Sequence, residues 1–405
     1  MTGDILFLAH RTPFPPDRGD KIRSWNVLKA LARLAPVHVA ALCTDPDEVR
    51  YADTLREVAT SVTLVPHQGS KFAAMASALM SGGSASVSAC ASSALSAHVD
   101  ALMARGTIGA IYAFSGQMAQ YVPSHLGDTR FLMDFVDMDS AKFAAWGEGR
   151  SLSAFANRFE ARRLFAFERS VANRADLSLF VSEAEAALFR QATGLGADRV
   201  RPLENGIDLE RFHTGHTAPT LEGDGPHIVF TGQMDYAPNV EAAVHYARNV
   251  LPRVRAVLGD ARFWIVGRAP VPAVTELGAL PGVIVTGTVP DPRDHIAAAD
   301  LIVAPLLLAR GIQNKVLEAM AMGKPVLAST PAAEGIDALA GRDLAIADGA
   351  QAQAEATLAL LADPVRRTAL GQAARFRMEA RYGWGATLAP LAEMLATPHT
   401  QRAAA

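Results

Sequence analysis

The stretch from Ala299 to Ser329 constrains the chain most tightly. Ala299-Asp-Leu-Ile-Val-Ala-Pro305 is a short apolar run of the kind a strand buried on both faces uses. A loop carrying Arg310 and Gly311 follows, then a short helix with Val316, Leu317, Ala319 and Met320 on its apolar side. Gly323 stands where a helix stops, and Pro325-Val-Leu-Ala328 begins a further strand. Such a strand–loop–helix–strand unit belongs to a parallel sheet.

Chemistry is expected at the front edge of that helix. Its first free N–H groups and the positive end of its dipole form an anion site, which Gly311 lets a ligand approach. Lys315 brings a mobile positive charge and Arg310 a planar, bidentate one. Glu318, about one turn further in, can accept hydrogen bonds from a diol. Anion plus diol describes a nucleoside diphosphate with its ribose. An ordinary crossover with Glu318 on a solvated face is the alternative, and the unit alone does not separate the two.

A chain of 405 residues suits two domains of similar size. The same strand–helix alternation opens the chain: Asp4-Ile-Leu-Phe-Leu-Ala-His10, a polar loop, a helix over 21–34 with Asp20 as its N-cap, then a strand over 36–42. Further strands are expected over 60–66, 108–115, 129–137 and 177–182. An Arg- and Glu-rich helix over 152–173 reads as a surface helix with internal i,i+4 pairs. The small, polar, Pro/Gly-rich run 211–226 is the best linker. Strands resume over 228–233, 262–268, 283–289 and 344–347. The expected division is 1–210, a linker 211–226, 227–383, and a final helix and tail over 384–405 returning to the first domain. Both domains read as doubly wound α/β.

Net charge is −3, with 38 basic against 41 acidic residues, so nucleic acid is not an expected partner. Two distant cysteines, Cys43 and Cys90, suit a reducing cytoplasm. Asp4 stands where a signal peptide carries basic residues, and no apolar run is long enough to span a bilayer. The loop before the first helix has a single glycine, Gly19, and no GxGxxG, which disfavours a dehydrogenase. Gly19, Asp20, Lys21 and Arg23 would still lie at the carboxyl end of the sheet, where open α/β sheets bind ligands. His10 ends a strand at that edge, and Asp134 and Asp137 end another. Asp137-Met-Asp139 has a bare DxD spacing, but carboxylates that cap a helix or hold an acceptor hydroxyl are favoured over a metal site.

These stretches together resemble the glycosyltransferases of GT-B fold, in the large retaining group called family 4. The carrying residues are Phe230-Thr-Gly232, Ile265-Val-Gly267, Val285-Thr-Gly287, Val316-Leu-Glu-Ala-Met-Ala321, Gly323-Lys-Pro-Val326, Glu334-Gly335 and Asn205-Gly-Ile-Asp208. The loop Pro16–Arg23 and the form Gly311–Glu318 are similar to the exosortase-associated sugar transferases of bacterial exopolysaccharide clusters. The resemblance implies two Rossmann-like domains facing a central cleft, the first serving the acceptor and the second the donor. Glu318 would hold the donor ribose, the Val316 and Leu317 amides the β-phosphate, and Lys315 would lie against the diphosphate. Gly232, Gln233 and Gly267 would stand beside the donor, Gly19 would approach from the first domain, and Asp20, Lys21 and Arg23 would face the acceptor. His10, Asp134 and Asp137 are the candidate catalytic groups. No metal or cofactor is implied, because positive side chains and helix N-termini stabilise the leaving nucleotide. The implied donor is a UDP or GDP sugar, and the acceptor is a glycan or lipid-linked hydroxyl at the inner membrane surface.

Two departures stand out. The family's motif has two glutamates, and Arg310 occupies the first position; many members also have Arg where this chain has Gln233. Arg310 either supplies the missing diphosphate charge, the favoured reading, or pairs with an acidic sugar. A nucleotide-sugar epimerase and a non-catalytic relative acting as an assembly partner are the competing functions.

Overall fold

The structure is a computed structural model describing residues 3–43, 45–67, 78, 82–149, 151–309 and 312–396. Arg310 and Gly311 lie outside the described residues. The chain divides into two compact units, one of Met1–Asn205 with Thr387–Ala405 and one of Gly206–Ala386.

The first unit is built on a parallel sheet. Its strands are β1 (Asp4–Ala9), β2 (Val37–Cys43), β3 (Ser61–Pro66), β4 (Ile108–Phe114), β5 (Arg130–Val136), β6 (Leu177–Phe180) and β7 (Val200–Pro202). They lie in the order β3-β2-β1-β4-β5-β6-β7, a seven-stranded sheet among the described residues. Apolar runs without alternation are what such a sheet needs once both faces are covered, and every residue of β2 is buried. β7 was not expected. Its Val-Arg-Pro is too short to carry a periodic signal, and it is recruited by pairing with β6.

The second unit holds β8 (His227–Thr231), β9 (Arg262–Val266), β10 (Val283–Gly287), β11 (Leu301–Ala304), β12 (Val326–Ala328) and β13 (Ala345–Ile346). Their order is β10-β9-β8-β11-β12-β13, with all pairs parallel. The polar stretch 211–226 belongs to this unit because Phe212 and Leu221 are buried in its core. Ile207 also bridges to Gly383, closing that unit upon itself. At the far end of the chain, the Met394 carbonyl accepts from Arg130 Nε (2.6 Å), tying the last helix to β5 of the first unit.

Both sheets reverse their winding once. The reversal lies between β1 and β4 in the first and between β8 and β11 in the second, the place where open α/β sheets bind ligands. No helix among the described residues is long and apolar enough to cross a membrane.

Candidate active site

In the second unit the sequence around β11 folds as its spacing requires. The helix Asn314–Ala321 buries Val316, Leu317, Ala319 and Met320, and Gly323 follows at φ +67°, a left-handed turn that glycine adopts without strain. The Lys324 N–H then bonds the Ala319 carbonyl (3.0 Å), closing the helix end.

The helix start brings β8 and β11 products together. Lys315 packs over the Phe230 ring (4.9 Å) and donates to Asn239 Oδ1. Asn239 in turn donates to the Gln233 carbonyl (2.9 Å). A Cβ at Gly232 would stand 2.8 Å from Asn239 Nδ2, and one at Gly267 would stand 1.6 Å from the Gly232 carbonyl oxygen. Gly232 and Gly267 are therefore required by close backbone approach, which draws the ends of β8 and β9 together beneath Lys315. Lys315, Gly267 and the pair Gly232-Gln233, from three separate stretches of sequence, meet at one corner of the switch point.

One expected detail is corrected. The Val316 and Leu317 amides both donate to the Gln313 carbonyl (2.9 and 3.3 Å), so they are not open to a phosphate. The first turn is wound tightly enough to consume them. The amides without an acceptor among the described residues are those of Asn314 and Lys315, one step earlier.

Burial dominates the electrostatics of this corner. It lowers the Lys315 ammonium to about 8, with Glu318 opposing. It raises the Glu318 carboxyl to about 7, with Arg211 and Lys315 opposing. Glu318 is half-buried, and its carboxylate has no hydrogen-bond partner among the described residues. A desolvated cation and a desolvated carboxylate thus lie one helical turn apart at the topological switch point.

Sequence reading missed Arg268. It follows Gly267 directly, and its Nη2 donates to Gln233 Oε1 (3.0 Å). An arginine thus reaches the place that Gln233 occupies, delivered from β9 instead of β8. The signal was an arginine immediately after a strand-ending glycine.

The first unit gives a different outcome. Arg23 is 1% exposed and Asp134 0% exposed, and they form a bidentate pair (Nε–Oδ2 3.0 Å, Nη2–Oδ1 3.1 Å). Tyr112 OH donates to Asp134 Oδ2 (2.6 Å), the Val136 N–H to Oδ1 (3.1 Å), and Arg23 Nη1 to Asn205 (2.9 Å). Burial and then the Asp134 charge raise the Tyr112 phenol well above its ordinary value, which keeps it a donor. With four donors on its two oxygens and no exposure, Asp134 is a structural anchor and not an open catalytic carboxylate. Arg23 likewise does not face an acceptor. The pair holds Val136 at φ +71°, a left-handed conformation costly for a β-branched residue.

Asp20 sits inside the helix Gly19–Ala32 instead of capping it; Arg18 holds the cap position. Its carboxylate gathers Arg11 (2.5 Å), Arg18 (2.8 Å) and His10 Nε2 (3.5 Å). Burial pushes Asp20 up, but the hydrogen bonds of His10 and Arg11 outweigh it and hold the carboxyl far below its usual range. His10 stacks on Phe114 (5.8 Å), and its buried Nδ1 has no hydrogen-bond partner among the described residues. Lys21 is buried against Glu48, away from any open face. Gly19 has open space around it, and Asp137 pairs with Lys142 (2.7 Å), which also holds Asp139 (3.1 Å). Among the described residues no three His, Cys, Asp or Glu side chains gather as metal ligands.

Two α/β units on parallel sheets of seven and six strands define the GT-B fold of glycosyltransferases. Residues 225–363, most of the second unit, match the family described as Glycosyl transferases group 1. The chain is 29% identical over 248 residues to the GDP-mannose-dependent alpha-(1-6)-phosphatidylinositol monomannoside mannosyltransferase of Mycolicibacterium smegmatis, covering 56% of this chain and 64% of that one. It is 26% identical over 239 residues to the corresponding monoacylated-substrate mannosyltransferase of Corynebacterium glutamicum, covering 53% and 61%. The chain thus spans less than two thirds of either relative. Anabaena HepE in complex with UDP superposes with a TM-score of 0.64 at 17% identity, covering 97% of this chain and 99% of that one. The second unit thus carries the match to the group 1 glycosyl transferases, and the solved structures share the fold of the whole chain.

Proposed function

We propose that the protein is a metal-independent, retaining glycosyltransferase that moves a hexosyl group from a nucleoside-diphosphate sugar to a hydroxyl of a glycan or lipid-linked acceptor in exopolysaccharide synthesis. The observation that carries the donor assignment is the corner made by Lys315, Asn239 and the close-packed Gly232 and Gly267, at the switch point of the second unit. The Asn314 and Lys315 amides and the Lys315 ammonium take the diphosphate, and Arg268 and Gln233 stand beside them. Glu318 accepts from the ribose hydroxyls. As the bond to the anomeric carbon breaks, negative charge grows on the leaving diphosphate, and preorganised donors there lower the barrier. The acceptor hydroxyl supplies the new bond and loses its proton. Retention and the exopolysaccharide setting rest on the resemblance of the motifs. GDP-mannose is the first donor to try, because both curated relatives use it.

Thermal stability against UDP, GDP, UDP-glucose and GDP-mannose tests the donor site. A true donor raises the melting temperature with concentration, since binding stabilises by RT ln(1 + [L]/Kd). Glu318→Ala should blunt that rise. A wild type unmoved by all four ligands would leave the transferase reading without its donor.

The pH profile tests the charges. Glu318 must be ionised to accept from the diol, and its raised value places that loss near pH 7 on the acid side. Lys315 must be protonated to hold diphosphate, and its lowered value places that loss near pH 8 on the alkaline side. The free-enzyme profile of kcat/KM should therefore be a narrow bell between about 7 and 8. Glu318→Gln should remove the acid limb alone. A flat profile across this window contradicts the assignment.

A further inference from the structure

The second unit has another concavity, at the edge of its sheet opposite the donor corner. Asp300 precedes β11 and Pro325 precedes β12, so both lie at the amino ends of their strands. The helix Asn314–Ala321 starts beside the donor corner and ends here, about 12 Å away at 1.5 Å per residue. Its closing turn, with Asp300 and Thr214, forms one side of a cavity of about 530 Å³, a volume usual for small-molecule sites. The helix Pro364–Arg377 forms the other side, with Thr368, Gln372 and Phe376 spaced four residues apart on one face.

Close packing builds these walls in advance of any ligand. A Cβ at Gly371 would stand 2.0 Å from the Gly323 carbonyl oxygen, and one at Gly323 would stand 2.8 Å from Thr214 Cγ2. Helix, turn and Thr214 are therefore fixed against one another. Two arginines bolt the walls and are engaged in doing so. Arg375 Nη1 donates to the Ala321 and Phe212 carbonyls (2.7 and 2.8 Å), and its Nε to Glu379 (2.6 Å). Arg367 Nη1 donates to the Leu360 and Leu361 carbonyls (2.9 and 2.5 Å).

The groups left open are a mixed set. Lys324 Nζ has no hydrogen-bond or ion-pair partner among the described residues, and burial lowers its ammonium, with the Asp300 charge opposing. Asp300 Oδ2 accepts from the His227 N–H (2.9 Å), while its Oδ1 stands 4.0 Å from Arg367, too far for a hydrogen bond. Gln372 and Thr214 are exposed, and Phe376 presents its ring at 71% exposure. Donors and acceptors for hydroxyl groups, a ring for the apolar face of a pyranose and one open cation describe a saccharide bearing a single carboxylate. A phosphate dianion is disfavoured, because the Asp300 and Glu379 carboxylates line the same cavity.

We propose that this cavity is a second saccharide site that takes a hexuronate residue, with its carboxylate on Lys324, its hydroxyls on Asp300 and Gln372, and its ring face on Phe376. It rests on the glycan reading of the acceptor above and extends it: the second unit holds an acidic residue of a glycan apart from the donor corner.

Saturation-transfer NMR titrations of the full chain with the methyl glycosides of glucuronate, galacturonate and mannuronate, and with their neutral hexose counterparts, test it. At least one uronate should bind, about tenfold or more tighter than its neutral counterpart. Lys324→Gln should erase that preference. Phe376→Ser, at an exposed position that leaves the fold intact, should weaken uronate binding about tenfold. Saturating UDP or GDP should not displace the uronate, nor should inorganic phosphate at equal concentration. Both variants should keep the wild-type thermal response to nucleoside diphosphates, a control that separates failure of this cavity from failure of the donor site. Absence of uronate binding, equal binding of the neutral sugar, displacement by phosphate or nucleoside diphosphate, or undiminished binding by either variant would each overturn the proposal.

Discussion

Arg23→Ala should cost the first unit about 3–5 kcal/mol, the usual penalty for breaking a buried ion pair from one side. The change strips Asp134 of two charge-assisted hydrogen bonds and leaves a carboxylate at 0% exposure with only the Tyr112 hydroxyl and Val136 amide. It also frees Asn205, the last residue before the second unit. For a unit of this size the corresponding fall in melting temperature is roughly 10 °C. Calorimetry should show the shift, and hydrogen exchange should rise first in β1, β4 and β5, which meet at the pair. The double variant Arg23→Met, Asp134→Leu should recover part of the loss, because an apolar pair needs no desolvated charge. Recovery stays partial since Tyr112 OH and the Val136 amide lose their acceptor. A melting temperature within about 1 °C of wild type for Arg23→Ala would show that the pair is not the anchor described.

Lys315→Ala should lower kcat/KM by about 10²–10³, the range found when one preorganised donor to a developing oxyanion is removed. The loss should appear with the intact donor and also as weaker binding of the free nucleoside diphosphate, because the proposed donor site sets the ammonium against the diphosphate and not the sugar. Stability should change little or rise, since the folded state holds Lys315 below its ordinary value and so disfavours the charge there. Lys315→Arg should not rescue, because the side chain is confined between the Phe230 ring and Asn239. Full activity in Lys315→Ala would move the diphosphate elsewhere in the unit.

The agreement between pattern and structure is uneven for a physical reason. Apolar runs such as Ile5–Ala9 and Leu301–Ala304 appear as strands because burial on both faces leaves no polar position to disguise them. Gly323 ends the helix Asn314–Ala321, and Ser182 caps the helix Glu183–Thr193 by accepting from the Glu185 amide (3.2 Å), because those preferences are local. Lys315 and Glu318 could be named for the same reason: a helix start after a buried strand presents its first turn to the switch point whatever the rest of the chain does.

What pattern could not supply is partnership across distance. Asp20, Lys21, Arg23 and Asp134 all lie near the carboxyl edge of the sheet, yet burial of the Arg23–Asp134 pair over 111 positions of chain turned two candidate site residues into a structural bolt. Nothing local distinguishes a carboxylate that will be enclosed from one that will stay open. Arg268 reached Gln233 only because β8 and β9 lie side by side. The sequence by itself determined the two parallel-sheet units, their strand-ending glycines and the charged helix start, since each follows from spacing and residue type over a dozen positions. Only the tertiary structure decided which charges are consumed internally and which stay open, because desolvation and hydrogen bonding depend on neighbours that the chain brings together from far apart.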